Sequence, residues 1–162
     1  MSTKLRSPET ELKKNKEFRK FKIALVVSDW HPEVTHSMKN AAFAYLVSKG
    51  VKEKNISLHS VPGAFELPLG AQFCAIQKNL DAIIALGCVI QGETRHFEFI
   101  CNSCAQGIVN VSLTFNIPVA FGVLTTENLR QAKERSGGKL GNKGTEAAES
   151  VLKMLMLKNS LN

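Results

Sequence analysis

The chain has 162 residues, 44% of them apolar, with 21 Lys/Arg against 14 Asp/Glu and a formal net charge of +7. That length and apolar content suit one domain around one core and exclude two full domains. No apolar run approaches the roughly 20 residues a membrane-spanning helix needs, and residues 1–20 hold no apolar signal core, so a soluble cytoplasmic protein is expected. The charge is unevenly placed: residues 1–20 carry seven Lys/Arg and three Asp/Glu, whereas residues 21–162 carry fourteen and eleven. The excess therefore sits on a polar tail with Phe18 as its one aromatic residue, which reads as a solvated, flexible basic arm over residues 1–20 rather than a nucleic-acid surface.

Past that arm, four short apolar runs rich in β-branched residues, at 22–28, 56–61, 82–89 and 118–124, predict strands buried on both faces. Between the first two, Val34, Met38, Ala41 and Tyr45 repeat with helical spacing, and Gly50 marks a natural helix end. Residues 64–78 read as a second helix, with Pro68 tolerable only near its first turn. A third helix places Cys101, Cys104, Ile108, Val111 and Phe115 on one apolar stripe. Residues 127–135 form a short fourth helix; a glycine loop and a last helix, with Ala148, Val151, Leu152 and Leu155 on one face, complete the chain. The order βαβαβαβαα predicts a flavodoxin-like α/β three-layer sandwich, a central four-stranded parallel sheet with helices on both faces, as a single domain over residues 21–158.

Four cysteines, including the Cys101-x-x-Cys104 pair, raise the question of zinc or redox chemistry. No second ligand pair stands at zinc spacing, and the shared stripe favours buried, reduced thiols that act as small hydrophobes; no metal and no cofactor are expected.

In sheets of this kind, sites form where strands end and helices begin, which selects four loops. Residues 28–32 (Ser-Asp-Trp-His-Pro) place the sole tryptophan after the first strand, either as a core side chain or as a stacking platform for a planar ligand. Residues 61–66 (Val-Pro-Gly-Ala-Phe-Glu) supply a glycine that lets backbone approach a ligand, or simply a turn with Phe65 packed inward. Residues 91–99 (Gln-Gly-Glu-Thr-Arg-His-Phe-Glu-Phe) combine a tight turn at Gly92, N–H groups at Glu93 and Thr94 able to hold an anion, and His96, an imidazole that is either structural or a general acid and base. The fourth, from residue 125 onward, leads to the glycine loop at 136–144, which fails the Walker test: the second glycine of G-x-x-x-x-G-K-[ST] would fall on Asn142 or Lys143, and the loop follows a helix, not a strand. An anion-friendly turn with Arg135, Lys139 and Lys143 remains, before a helix whose Glu146 and Glu149 suit its own positive end.

Taken together, these loops resemble the lumazine synthases. The resemblance runs from about residue 21 to 154 and rests on Val-Pro-Gly-Ala-Phe-Glu-Leu-Pro at 61–68, Ala-Leu-Gly-Cys-Val-Ile-Gln-Gly-Glu-Thr-Arg-His-Phe at 85–97, Phe-Gly-Val-Leu-Thr-Thr-Glu at 121–127 and Gly-Asn-Lys-Gly at 141–144. It implies a cofactor-independent transferase of the penultimate step of riboflavin biosynthesis, condensing 5-amino-6-(D-ribitylamino)uracil with 3,4-dihydroxy-2-butanone 4-phosphate to 6,7-dimethyl-8-ribityllumazine, with release of phosphate and water. By resemblance Trp30 stacks on the pyrimidine; Ala64, Phe65 and Glu66 with Cys88, Val89 and Ile90 line the uracil and ribityl pocket. Glu93 and Thr94 contact the phosphate substrate, His96 transfers protons, Phe121 closes the aromatic side, Arg135 takes the phosphate, and Lys143 lies nearby.

The resemblance also implies a homopentamer with sites between neighbours, one chain supplying Trp30, Phe65 and His96 and the next Phe121 and Arg135. Twelve pentamers closing into an icosahedral shell, an association with riboflavin synthase, and ordering of residues 17–21 by a neighbouring chain belong to the same expectation. Departures from the usual pattern are Trp30 for Phe, His31 for Asn, Gln91 for Arg and Glu93 for a small residue. Two other readings stand beside the enzyme: a carrier or storage shell for lumazine or flavin on the same fold, and nucleic-acid binding through the basic tail.

Overall fold

A computed structural model describes residues 12–77 and 79–161. Four parallel strands, β1 (Ile23–Ser28), β2 (Ile56–Val61), β3 (Ala82–Ile90) and β4 (Val119–Thr126), form one sheet in the order β2-β1-β3-β4. Helices α1 (Pro32–Lys49), α2 (Leu67–Ala75), α3 (His96–Phe115), α4 (Leu129–Arg135) and α5 (Lys143–Ser160) follow in turn. Between α4 and α5 a two-stranded antiparallel hairpin, β5 (Ser136–Gly138) with β6 (Gly141–Asn142), occupies the place of the expected glycine loop. The fold is the flavodoxin-like three-layer α/β sandwich.

The two-residue period of the strands divides their side chains between two cores. Ile23, Leu25 and Val27 of β1 with Ile84, Leu86 and Cys88 of β3 face α1 and α5, meeting Val34, Met38, Ala42, Leu46, Val151, Leu152 and Leu155. Ala24, Val26, Ile83 and Ala85 face the other way, onto Leu67, Ala71, Cys104, Ile108 and Val111 of α2 and α3. All six residues of β1 are buried, so the apolar run at 22–28 is a central strand. Strand β2 departs from expectation: Ser57 to Val61 are exposed or half-buried. It is an edge strand, with neighbours on one side only, and its length and β-branching could not reveal that.

Helix α1 buries Val34, Met38, Ala42 and Leu46, whereas Ala41 and Tyr45 are only half-buried; a four-residue step, not the expected pattern, tracks the sheet. The second helix is split into a 3-10 turn at Ala64–Glu66 and α2, with Pro68 at its N-terminal turn, where the missing N–H costs nothing; residue 78, its expected end, lies outside the described residues. On α3 Cys104 is buried but Cys101 is only half-buried, which corrects the expected pair of buried thiols. Burial pushes the Cys104 thiol up to about 12, with the nearby Cys101 adding to it.

Of the expected N-terminal arm, residues 1–11 lie outside the described residues. Residues 16–20 form a 3-10 helix capped by Asn15, and Phe18 and Phe21 are 1% and 3% exposed against the α1/α5 core. Phe18 and Phe21 thus pack within their own chain, whereas Glu17, Arg19 and Lys20 are exposed. Among the described residues no helix is long and apolar enough to cross a membrane.

Candidate active site

The carboxyl ends of β1 and β2 carry the first group of expected site residues. Trp30 is 69% exposed and Phe65 57%, so neither is a core side chain. A Cβ placed on Gly63 would lie 3.4 Å from Trp30 Cδ1 and 3.0 Å from Glu66 Oε2, so glycine is what lets the indole edge and the carboxylate share that ground. Ala64 is buried beneath them in the α2/α3 core. The turn before the indole is pinned: Asp29 N–H donates to Val61 O at 2.9 Å, and the Ser60 hydroxyl donates to the Asp29 carboxylate.

The end of β3 adjoins this group. Cys88 is buried, with Val89 and Ile90 half-buried beyond it. Burial first, and the Glu33 carboxylate second, push the Cys88 thiol up to about 11, which leaves it a neutral wall rather than a nucleophile. Gln91 N–H donates to Thr126 O at 2.8 Å, carrying the β3–β4 ladder one residue further before the loop departs. Glu93, Thr94 and His96 are all exposed; His96 opens α3 at its positive end. The N–H groups of Glu93 and Thr94 have no acceptor among the described residues, as an anion-binding turn requires.

The second group lies elsewhere. Arg135, at the end of α4, donates from Nη1 to Leu140 O at 2.6 Å and grips both carboxylate oxygens of Glu146, at 3.0 and 3.2 Å. Lys143 Nζ approaches the same carboxylate at 3.4 Å. Burial by itself pushes the Glu146 carboxyl up, but the hydrogen bond and charge of Arg135, followed by those of Lys143, outweigh it and hold the group below its ordinary value. Two cations around one carboxylate leave a net +1 there. The hairpin sets this trio: Gly137 and Gly141 adopt φ of 126° and 85°, and Asn142 Nδ2 and Ser37 Oγ both donate to Ser136 O. Gly144 lets α5 start directly on α1, since a Cβ there would come within 2.0 Å of Met38 O.

Within one chain the two groups are carried by different elements, the turns after β1, β2 and β3 on one side and the α4–hairpin–α5 segment on the other. Phe121 is level with Ala85, Val26 and His59 across the sheet, on the strand farthest from β2. Phe65 lies in the 3-10 turn after β2, which packs against α3 and β3. Arg135 follows Ala132, which packs in the α1/α5 core, whereas Ala64 and Leu67 pack on the opposite face of the sheet. From the sequence, Glu146 belongs only to the start of its own helix, and Glu33, Asp29 and Ser60 have no role. Glu146 lies eleven residues from Arg135, and only the hairpin brings them together. No spacing rule links them.

Residues 20–159 match the family model described as 6,7-dimethyl-8-ribityllumazine synthase. Proteins named 6,7-dimethyl-8-ribityllumazine synthase from Cytophaga hutchinsonii, Porphyromonas gingivalis and Bacteroides fragilis are 56%, 46% and 43% identical to this chain. The matches cover 81%, 82% and 87% of this chain and 82%, 83% and 99% of theirs. With that extent of similarity, and with the motif loops gathered at the carboxyl ends of a parallel sheet, the chain belongs to the 6,7-dimethyl-8-ribityllumazine synthase family.

Proposed function

We propose that the chain condenses 5-amino-6-(D-ribitylamino)uracil with 3,4-dihydroxy-2-butanone 4-phosphate to 6,7-dimethyl-8-ribityllumazine, the penultimate step of riboflavin biosynthesis, as a transferase that needs no cofactor. The observation that carries this reading, in a chain of this family, is the exposed Trp30 indole seated on Gly63 beside the Glu66 carboxylate. A flat apolar face with a polar acceptor at its edge suits a planar, hydrogen-bonding pyrimidine.

In this reading Trp30 stacks on the pyrimidine, and Ala64, Phe65, Glu66, Cys88, Val89 and Ile90 line the pocket for its ring and ribityl chain. The substrate's amine attacks the ketone carbonyl and water leaves, forming a Schiff base. Phosphate is then eliminated, and closure of the second ring releases a further water. Each step moves a proton, and His96, exposed at the start of α3, carries protons between the reacting atoms. The N–H groups of Glu93 and Thr94 receive the phosphate-bearing substrate while the Glu93 side chain stays in solvent. Arg135 holds the phosphate as it leaves. Glu146 keeps the guanidinium fork and the Lys143 ammonium fixed, and the trio's net positive charge still favours an anion.

Phe121 and Arg135 serve the pocket of a neighbouring chain in a homopentamer. Two features support this arrangement. The register keeps Phe121 away from Trp30 within one chain. The outer faces of α2 and α3 also expose Leu69, Phe73, Phe99, Val109 and Leu113, apolar side chains of the kind that line subunit interfaces. Closure of twelve pentamers into a shell is the further step of the same proposal.

The direct test mixes both substrates with the protein and follows lumazine fluorescence and phosphate release together. Stoichiometric appearance of both supports the reading. Tight binding of lumazine or flavin without turnover would replace it with the carrier function.

A further inference from the structure

The turn that presents Trp30 is held against its own preferences. His31 has φ 57° and ψ 58°, a left-handed backbone, and is one of two non-glycine residues with positive φ among those described. Pro32 follows it, and a proline ring pushes the preceding residue toward extended backbone by crowding its N–H and Cβ. A conformation opposed twice persists only where its surroundings over-determine it.

Those surroundings are a clamp on either side of Trp30. Ahead of it, Asp29 is fixed to β2 by its N–H bond to Val61 O and by the Ser60 hydroxyl. Behind it, the N–H groups of Val34 and Thr35 donate to His31 O at 2.9 and 3.0 Å, and Thr35 Oγ1 does so at 3.3 Å. The His31 side chain makes no cap hydrogen bond to α1; its ring stands tilted at 56° beside the Trp30 ring with centroids 6.5 Å apart, a distant and oblique contact. The turn therefore uses the backbone of residue 31, and histidine is among the few side chains, with asparagine and aspartate, that tolerate this region.

We propose that His31 is a positioning residue for the pyrimidine platform: its left-handed backbone, locked between Pro32 and the Asp29–Ser60 clamp, holds the Trp30 indole on Gly63 before substrate arrives, and the imidazole itself is dispensable. This rests on the reading of Trp30 as the stacking surface. A fixed aromatic ring spares the ordering cost that a free one would incur on binding, so the effect falls on substrate affinity more than on turnover.

Trp30 is the one tryptophan in the chain, so fluorescence excited selectively at tryptophan, clear of Tyr45, reads this turn alone. In ligand-free protein, His31→Asn and His31→Gly keep the wild-type acrylamide quenching and anisotropy, and His31→Val, whose β-branch resists positive φ, raises quenching and lowers anisotropy. In turnover, His31→Val raises KM for the ribitylaminouracil by about tenfold with kcat changed less than about threefold, and His31→Asn keeps KM within about twofold. Wild-type quenching and KM in His31→Val would overturn the proposal. So would equal damage in His31→Asn and His31→Val, which would transfer the role to the imidazole. If His31→Val does not fold, Ser60→Ala loosens the other clamp without touching residue 31 and should shift quenching and KM in the same direction, by about threefold in KM; wild-type values there would overturn the proposal as well. A wild-type protein that makes no lumazine would defeat the functional reading, and the quenching series alone would then decide the positioning claim.

Discussion

The Trp30–Gly63–Glu66 end of the sheet and the Arg135–Lys143–Glu146 trio meet opposite electrostatic needs in opposite ways. The first is open and apolar, an exposed ring with the His31 imidazole tilted beside it, and it gains by burying a flat ligand. The second is already satisfied: its guanidinium is gripped by a carboxylate and a carbonyl oxygen, and its free energy is set by charge rather than area. A reaction that joins a planar amine to a phosphorylated ketone needs both kinds of surface. This chain carries them on separate elements, the turns after β1 and β2 and the α4–hairpin–α5 segment, and the proposed site joins them between two copies.

The largest expected effect breaks the chemistry between the two regions without touching either surface. His96→Ala should lower kcat by about a hundredfold or more while KM for the uracil changes little, measured by lumazine formation at saturating substrates. Unchanged kcat would remove His96 from proton transfer. Arg135→Ala strikes the charged region alone: KM for the phosphate substrate should rise by about ten- to a hundredfold with the oligomer intact by light scattering. Equal losses toward both substrates would erase the division of labour.

Gly63→Ala strikes the aromatic region more gently. Its new Cβ would press on the Trp30 and Glu66 side chains rather than on backbone, so KM for the uracil should rise by about three- to tenfold with thermal stability nearly unchanged. A rise in KM for the phosphate substrate instead would contradict the assignment.

The smallest effect sharpens the comparison through pH. The Glu146 carboxyl is held below its ordinary value, so the stabilisation it contributes is complete above the unfolded carboxyl's titration and is lost as the pH falls through the lowered folded value. Acid unfolding of Glu146→Gln should therefore show a shallower loss of stability over that window than wild type. Identical acid profiles would mean that the trio contributes nothing to folding.

The two regions also differed in how far the sequence disclosed them. Residues 22–28 and 82–89 read as buried strands because a continuous β-branched run has few other uses, and the order of elements then fixed the sheet type and placed the site loops. Trp30 stayed ambiguous, since an aromatic residue after a strand suits core and ligand equally; its exposure excludes the core reading. Edge status was hidden in β2 because it depends on which strand lies beside it. The hairpin and the Arg135–Glu146 pair were hidden for a similar reason: glycines advertise a turn, but which charges that turn joins is a matter of tertiary distance. Cys101 slipped for want of surface on its side of α3, where a helical stripe drifts out of the core over several turns.

Mixing two crippled variants tests the shared site most directly. His96→Ala and Arg135→Ala, each nearly inactive at limiting phosphate substrate, are unfolded together and reassembled at equal concentration. If one chain supplies His96 and its neighbour Arg135, random assembly gives about a quarter of the sites both intact residues, and about a quarter of wild-type activity should return. Mixed assemblies no more active than the better parent would contradict a site shared between chains.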